Sequence, residues 1–247
     1  MKRTKALEKS TFEGNLRRYY RFRPAKWYGG IVTGDVCACN LLCYFCWAGD
    51  EIRNHPERVG KLYSPDQVFN KFEAISRKCG YTLMRLSGQE PTIGREHLLE
   101  LLSLLARTKY RFILETNGIL IGAEQDYAQA LSKFGNLHVR VSVKGTCEEE
   151  FSHLTDAAPE FFQLQLDAIK NLIDAGVSVH PAVMVSFSTK DNLKSFIRRL
   201  EKIDATLPTQ MEVEELILYP HVVKRLKKHN FDIKGGHEPD KVPKEQI

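Results

Sequence analysis

Residues 37–47 read Cys37-Ala38-Cys39-Asn40-Leu41-Leu42-Cys43-Tyr44-Phe45-Cys46-Trp47, which puts four of the chain's six cysteines within ten positions. Thiols gathered so closely point to a metal site or redox chemistry. Two readings fit the residues. In the first, Cys37, Cys39, Cys43 and Cys46 close around one zinc ion as a structural site, although zinc knuckles normally come as two separated pairs. In the second, Cys37 drops out and Cys39-x3-Cys43-x2-Cys46 holds an iron–sulfur cluster. Three thiolates on a four-iron cube leave one iron open to a substrate or cofactor.

Outward from this loop, short apolar runs alternate with longer amphipathic ones. Strands are expected at Gly30–Thr33, Thr82–Leu86, Arg111–Glu115, Leu137–Val143, Val177–Val185 and Glu212–Leu218. The first intervening helix begins at S-P-D-Q-V-F, with Ser64 as N-cap and Pro65 in the first helical position. Others follow through E-H-L-L-E-L-L-S-L-L-A-R, Gln125–Lys133, a run closed by Gly176, T-K-D-N-L-K-S-F-I-R-R-L, and a last helix from near Pro220. Strand–helix alternation of this kind predicts right-handed βαβ units and a parallel α/β sheet, open or curled into a barrel. Residues 28–229 are expected to form that unit, with a basic arm at 1–27 and a mobile tail at 230–247.

The formal charge is +5, and residues 1–27 carry nine basic residues against two acidic ones. Such an arm suits a polyanion, or simply a solvated terminus. No apolar run is long enough to span a membrane and the N-terminus does not read as a secretory signal, so a cytoplasmic setting and no membrane contact are expected.

In folds of this type, function collects where strands end. Those positions hold the cysteine loop, L-S-G-Q-E-P, T-N-G, V-S-V-K-G-T, H-P-A-V-M-V-S and L-Y-P-H. Glycines and ionisable groups recur there, which favours an enzyme over a scaffold.

The triplet Cys39, Cys43 and Cys46, with Phe45 before the third, resembles the C-x3-C-x-Φ-C signature of the radical SAM superfamily. L-S-G-Q-E-P resembles that family's G-G-E motif, with Gln89 in place of the second glycine. The resemblance implies a partial (β/α)6 barrel, a [4Fe-4S] cluster on the three cysteines, and S-adenosyl-L-methionine (SAM) on the open iron. It implies that Gly88, Gln89 and Glu90 hold the methionine amino group, that Phe45 and Trp47 pack near the adenine, and that Ser142 and Lys144 reach the ribose and carboxylate. Asn117 joins the cofactor-binding set, and a reductant such as a flavodoxin or ferredoxin is the implied partner.

Two branches are similar in finer detail. Lys144, T-N-G at 116–118 and Y-P-H at 219–221 look like activating enzymes for glycyl radical proteins, except that Ser142 stands where those have Asp. C-Y-F-C-W, V-K-G-T and the R-R-Y-Y-R-F-R run at 17–23 resemble wyosine-base synthases acting on RNA. Lys144 and His221 are the catalytic candidates, and a protein glycine or an RNA base is the expected substrate. Cys79, His180 and Met184 read as core residues, His55 as a loop residue, Cys37 as a packed thiol, and Cys147 as a thiol near the site.

Overall fold

The computed structural model describes residues 2–243. Ahead of the first expected strand lie α1 (Lys2–Thr11), β1 (Phe12–Glu13), β2 (Leu16–Ala25) and a 3-10 turn at Trp27–Gly29. Then come β3 (Ile31–Val36), the cysteine loop, α2 (Asp50–Asn54), α3 (Pro56–Val59), β4 (Lys61–Tyr63) and α4 (Pro65–Cys79). β5 (Leu83–Ser87) leads to α5 (Arg95–Leu105), and β6 (Arg111–Thr116) to α6 (Ile119–Ala123) and α7 (Gln125–Leu131). β7 (Leu137–Val143) precedes α8 (Glu148–Thr155) and α9 (Phe161–Asp174); β8 (Ser178–Met184) precedes α10 (Lys190–Ile203) and α11 (Leu207–Gln210). β9 (Glu212–Glu214) and α12 (Pro220–Lys228) complete the elements.

Strands β3, β5, β6, β7, β8 and β9 pair in that order, all parallel, and form the partial (β/α)6 barrel. The last strand is shorter than expected. After Glu214 the chain turns away from β8, and Leu216 and Leu218 bond to His237 instead, at 2.8 Å each.

Segment 1–27, expected as an arm outside the barrel, is built into the sheet. β2 runs antiparallel to both β3 and β4. Its alternation of cations and aromatics is the two-faced pattern of a strand. Tyr19 is buried and stacks on Phe22 at 5.2 Å, while Arg21, partly exposed on the other face, lines the cavity and pairs with Asp35. Of the expected tail, Phe231 is buried against Tyr44 and His153, and residues 244–247 lie outside the described residues.

Parallel strands covered on both faces normally read as continuous apolar runs. Here the two faces differ. Outward-facing Val32, Met84, Leu86, Phe112, Leu114, Val139 and Val141 pack under the helices as the core. The inward face carries Thr33, Asp35, Arg85, Ser87, Glu115, Arg140 and Ser142, with Glu212 and Glu214 on β9. The helices therefore stand on an apolar shell that surrounds a charged interior.

Candidate active site

Cys39, Cys43 and Cys46 line one cavity of about 790 Å³ at the carboxyl ends of the strands. Cys37 does not line it. Its thiol packs against Gly60, where an added Cβ would come within 2.6 Å of Sγ. The four-thiolate zinc site thus lacks one of its ligands. Among the described residues no three His, Cys, Asp or Glu side chains converge on a single ion. A cubane cluster makes a different demand, because each thiolate binds its own iron.

The loop is clamped by its backbone. Leu42 and Tyr44 donate to Thr155 and Leu154 carbonyls at 3.1 and 2.9 Å, and Glu90 donates to the Ala38 carbonyl at 3.0 Å. Arg53 donates to the Cys43 carbonyl at 2.8 Å. From α12, Arg225 donates to the carbonyls of Cys46 at 2.8 Å and of Tyr44 and Ala48 at 3.2 Å. Burial pushes the Cys43 thiol up to about 11, with the nearby Lys144 charge opposing, and raises Cys39 further. Binding of a metal cluster must therefore expel thiol protons.

Gly88 has φ +94°, and a Cβ there would lie 3.1 Å from Asp35 and the Tyr20 hydroxyl. The Gln89 amide donates to the Gly88 carbonyl at 2.7 Å, and its Oε1 is buried without a partner. Glu90 lines the same cavity. Its carboxylate is turned into the wall, accepting from the Thr92 N–H and hydroxyl, the Thr116 hydroxyl and the Asn117 N–H at 2.6–3.0 Å. Its own carbonyl accepts from Arg17 at 2.7 Å, so Glu90 lines the cavity and also ties two strand ends together.

Asn117 lines the cavity and donates to Asn40 Oδ1 at 2.7 Å, beside the Cys39 sulfur. Lys144 donates to the Ser142 hydroxyl and lies 5.7 Å from the Phe45 ring centroid. Trp47 is 40% exposed at the cavity mouth, with Arg21 5.8 Å from its ring. His221 lines the same cavity and bonds the Trp47 carbonyl at 2.7 Å. Met184 also lines the cavity; Cys79, Cys147, His55 and His180 do not.

The charged interior was not anticipated. Arg85 bonds Glu115 at 2.5 Å; Arg140 bonds Glu212 at 2.6 Å and Glu214 at 2.8 Å. Arg21 and Arg23 converge on Asp35 at 2.6 and 2.9 Å. Gln165, fully buried on α9, donates to the Asn117 and Ser142 carbonyls at 2.7 and 3.1 Å and accepts from the Lys144 N–H at 3.1 Å. The available signal was a charge at alternate positions inside otherwise apolar strands, as in L-M-R-L-S and L-H-V-R-V-S-V.

The sequence model of the Radical SAM superfamily matches residues 36–200. The chain belongs to the radical SAM superfamily. It is therefore an enzyme of the class that uses a [4Fe-4S] cluster and SAM. A "Probable GTP 3',8-cyclase" of Saccharolobus solfataricus (strain ATCC 35092 / DSM 1617 / JCM 11322 / P2) is 29% identical over 142 residues, 57% of this chain. The match spans only 42% of that relative's length. Among solved structures, TYW1 with a lysine-pyruvate adduct bound aligns with TM-score 0.55 and 16% identity over 81% of this chain and 72% of that one. Native anSMEcpe with bound AdoMet and a peptide aligns with TM-score 0.55 and 18% identity over 74% and 49%. At such identities these structures show a shared fold. No helix among the described residues is long and apolar enough to cross a membrane.

Proposed function

We propose that Cys39, Cys43 and Cys46 hold the [4Fe-4S] cluster, and that the enzyme abstracts a hydrogen atom from a macromolecular substrate, an RNA base. One observation carries the site assignment: three thiols open into the cavity that holds the Gly88–Gln89 turn, while Cys37 is packed elsewhere. The cluster and SAM fit this chain's residues. The Gly88 cradle admits no side chain, and the unpaired Gln89 Oε1 is an acceptor for an ammonium group.

When bound, the pair supplies one-electron chemistry that releases a 5′-deoxyadenosyl radical from SAM. The protein binds, orients and shields. The Gly88 and Gln89 carbonyls would accept from the amino group, with the Gln89 amide that now bonds the Gly88 carbonyl giving way, and Lys144 would offer its ammonium to the carboxylate. Phe45 gives the adenine an apolar surface. Arg53 and Arg225, by gripping the carbonyls of the cysteine loop, fix the thiols before any ligand arrives.

An RNA base is supported by the mouth of the cavity, where Trp47 and Tyr28 are exposed and Arg21 lies near Trp47. Aromatic faces with guanidinium neighbours suit base stacking. The relative's name specifies GTP, a free nucleotide whose purine base could stack on such a surface in the same way. A protein glycine is the second reading, favoured because Glu214 bonds Ser142 at 3.1 Å and so restores a carboxylate beside Lys144.

Anaerobically reconstituted protein is expected to bind iron and sulfide and to release 5′-deoxyadenosine on reduction. Cys37→Ala should retain both properties, and Cys39→Ala, Cys43→Ala or Cys46→Ala should lose both. Loss of the cluster in Cys37→Ala would refute the three-thiolate assignment. Adding host RNA, and separately a protein fraction, tells the two substrate readings apart by which one raises 5′-deoxyadenosine release above the uncoupled level.

A further inference from the structure

Each cysteine of the triplet has its backbone carbonyl held by a different arginine. Arg3 of α1 donates to the Cys39 carbonyl at 3.1 Å, Arg53 of α2 to the Cys43 carbonyl at 2.8 Å, and Arg225 of α12 to the Cys46 carbonyl at 2.8 Å. The three donors come from three separate helices, and Arg3 and Arg225 lie outside the stretch 36–200 that matches the superfamily.

Holding a carbonyl does not require a charge. A neutral amide such as Asn or Gln satisfies the same oxygen without taking a guanidinium out of water. Yet the Arg53 and Arg225 side chains are only 6% and 9% exposed, and Arg53 keeps a buried Nε without a hydrogen-bond partner. Among the described residues, the one carboxylate that pairs with either of them is Asp50, which they share. Arg3 bonds instead to the neutral Asn54 amide oxygen at 2.8 Å. Three guanidiniums against one carboxylate leave an excess of positive charge around the loop, and buried charge of this kind needs an anion nearby. The groups that can supply it are the thiols, once they have given up their protons. From the cavity side, the Cys39 sulfur feels Glu90 and the Cys43 sulfur feels Lys144, and those two opposite charges offset each other.

We propose that Arg3, Arg53 and Arg225 are positioning residues that also set the reduction potential of the cluster, their charge favouring the state with one more electron. This rests on the cluster assignment above. Three thiolates on an oxidised four-iron core leave a net negative charge, and one-electron reduction adds to it, so fixed positive charge beside the loop stabilises the reduced form. Covalent geometry keeps a cysteine's carbonyl oxygen within about 5 Å of its own sulfur, which puts each donor nitrogen no more than about 8 Å from a ligand sulfur. At that range, with an effective dielectric of about 20, one full charge shifts a one-electron equilibrium by roughly ten- to thirtyfold.

The test is an EPR-monitored redox titration of the reconstituted holoenzyme without SAM, with dithionite as the electron source. Wild type is compared with Arg53→Gln, Arg53→Lys, Arg225→Gln, Arg225→Lys and Arg3→Gln. Gln keeps a hydrogen-bond donor and removes the charge; Lys keeps the charge. Arg53→Gln and Arg225→Gln should each disfavour the reduced cluster by roughly tenfold, a midpoint about 59 mV more negative for one electron. The Lys variants should stay within about threefold of wild type. Arg3 is partly exposed, so Arg3→Gln should shift the midpoint the same way by less. Iron and sulfide content is read separately and reports whether the loop still assembles its cluster. Unchanged midpoints in the Gln variants overturn the proposal. Equal shifts in the Gln and Lys variants also overturn it, because they assign the effect to loop geometry. Should a buried Gln variant hold no iron, Arg3→Gln decides: a more negative midpoint supports the proposal and a wild-type midpoint overturns it. If wild type itself binds no iron and sulfide, the cluster assignment fails and this proposal falls with it.

Discussion

Arg17 is a fully buried cation held by carbonyl oxygens. It donates to Pro91 and Ile93 at 2.5 Å and to Glu90 at 2.7 Å, which pins the segment following the Gly88–Gln89 turn. Arg17→Met leaves three buried carbonyls unpaired, each costing about 1–3 kcal/mol, partly offset by recovering the arginine's own desolvation. The expected outcome is a lower denaturation midpoint together with weaker SAM binding by the reconstituted variant; unaltered SAM affinity would show that the turn needs no such brace. His97 lies nearby, its Nε2 against the Tyr19 hydroxyl at 2.9 Å and its Nδ1 against the Asn15 carbonyl at 2.8 Å. Burial lowers its pKa to about 4, with the Asn15 bond opposing. Between the ordinary histidine value near 6.5 and about 4, the unfolded chain takes up a proton that the folded chain refuses. Stability contributed by neutral His97 is thus lost as pH falls through that window, and His97→Asn should flatten the slope of a urea-midpoint titration from pH 7 to 4. The cysteine triplet was legible because its three thiols are neighbours in sequence. Arg17 was not, because its partners are carbonyls more than 70 positions away that no residue type announces.

Helix packing explains which elements could be read and which could not. Ser64 behaves as anticipated: its hydroxyl accepts from the Gln67 N–H at 3.2 Å, and the Gln67 side chain returns a bond to the Ser64 N–H at 2.9 Å. The α9 run has enough turns for its apolar stripe to show. By contrast α6, I-L-I-G-A, is five residues long and shows no helical period, yet it makes a close crossing with α9. Gly122 permits that crossing, since a Cβ there would sit 1.9 Å from the Leu164 carbonyl oxygen. Gly122→Ala should cost about 1–3 kcal/mol or more, because backbone must move to make room. The displacement would reach the site, because Leu164 immediately precedes Gln165, whose amide joins the ends of β6 and β7. SAM affinity should therefore drop along with thermal stability. A stability loss with intact affinity would mean that α9 shifts without carrying Gln165.

On the scale of the whole barrel, charge pairing joins strands that are not adjacent in the sheet. β8 lies between β7 and β9, and its inward Ala182 stands in register with Ser142 on one side and Glu212 on the other. That small side chain leaves room for Arg140 to reach Glu212 and Glu214 across it. The sheet order was legible from strand–helix alternation, but this bridge was not, because it depends on registers that alternation does not specify. The bridge makes the barrel sensitive to acid. Burial acts to raise the Glu212 pKa, but hydrogen bonds from Arg140 and His180 and their charges prevail and hold it at about 2. Glu115 is likewise held low, its burial outweighed by Arg85 and Arg140. Both are depressed carboxylates, so their stabilisation is complete above the unfolded value near 4.5 and is lost as pH falls below it, for Glu212 toward about 2. Glu212→Gln should consequently be less stable than wild type at pH 7, and the gap should close as pH is lowered from 4.5 toward 2. Denaturant midpoints of the two proteins across that range test the point. A gap that persists at pH 2.5 would assign the loss to packing of the side chain instead of to its charge.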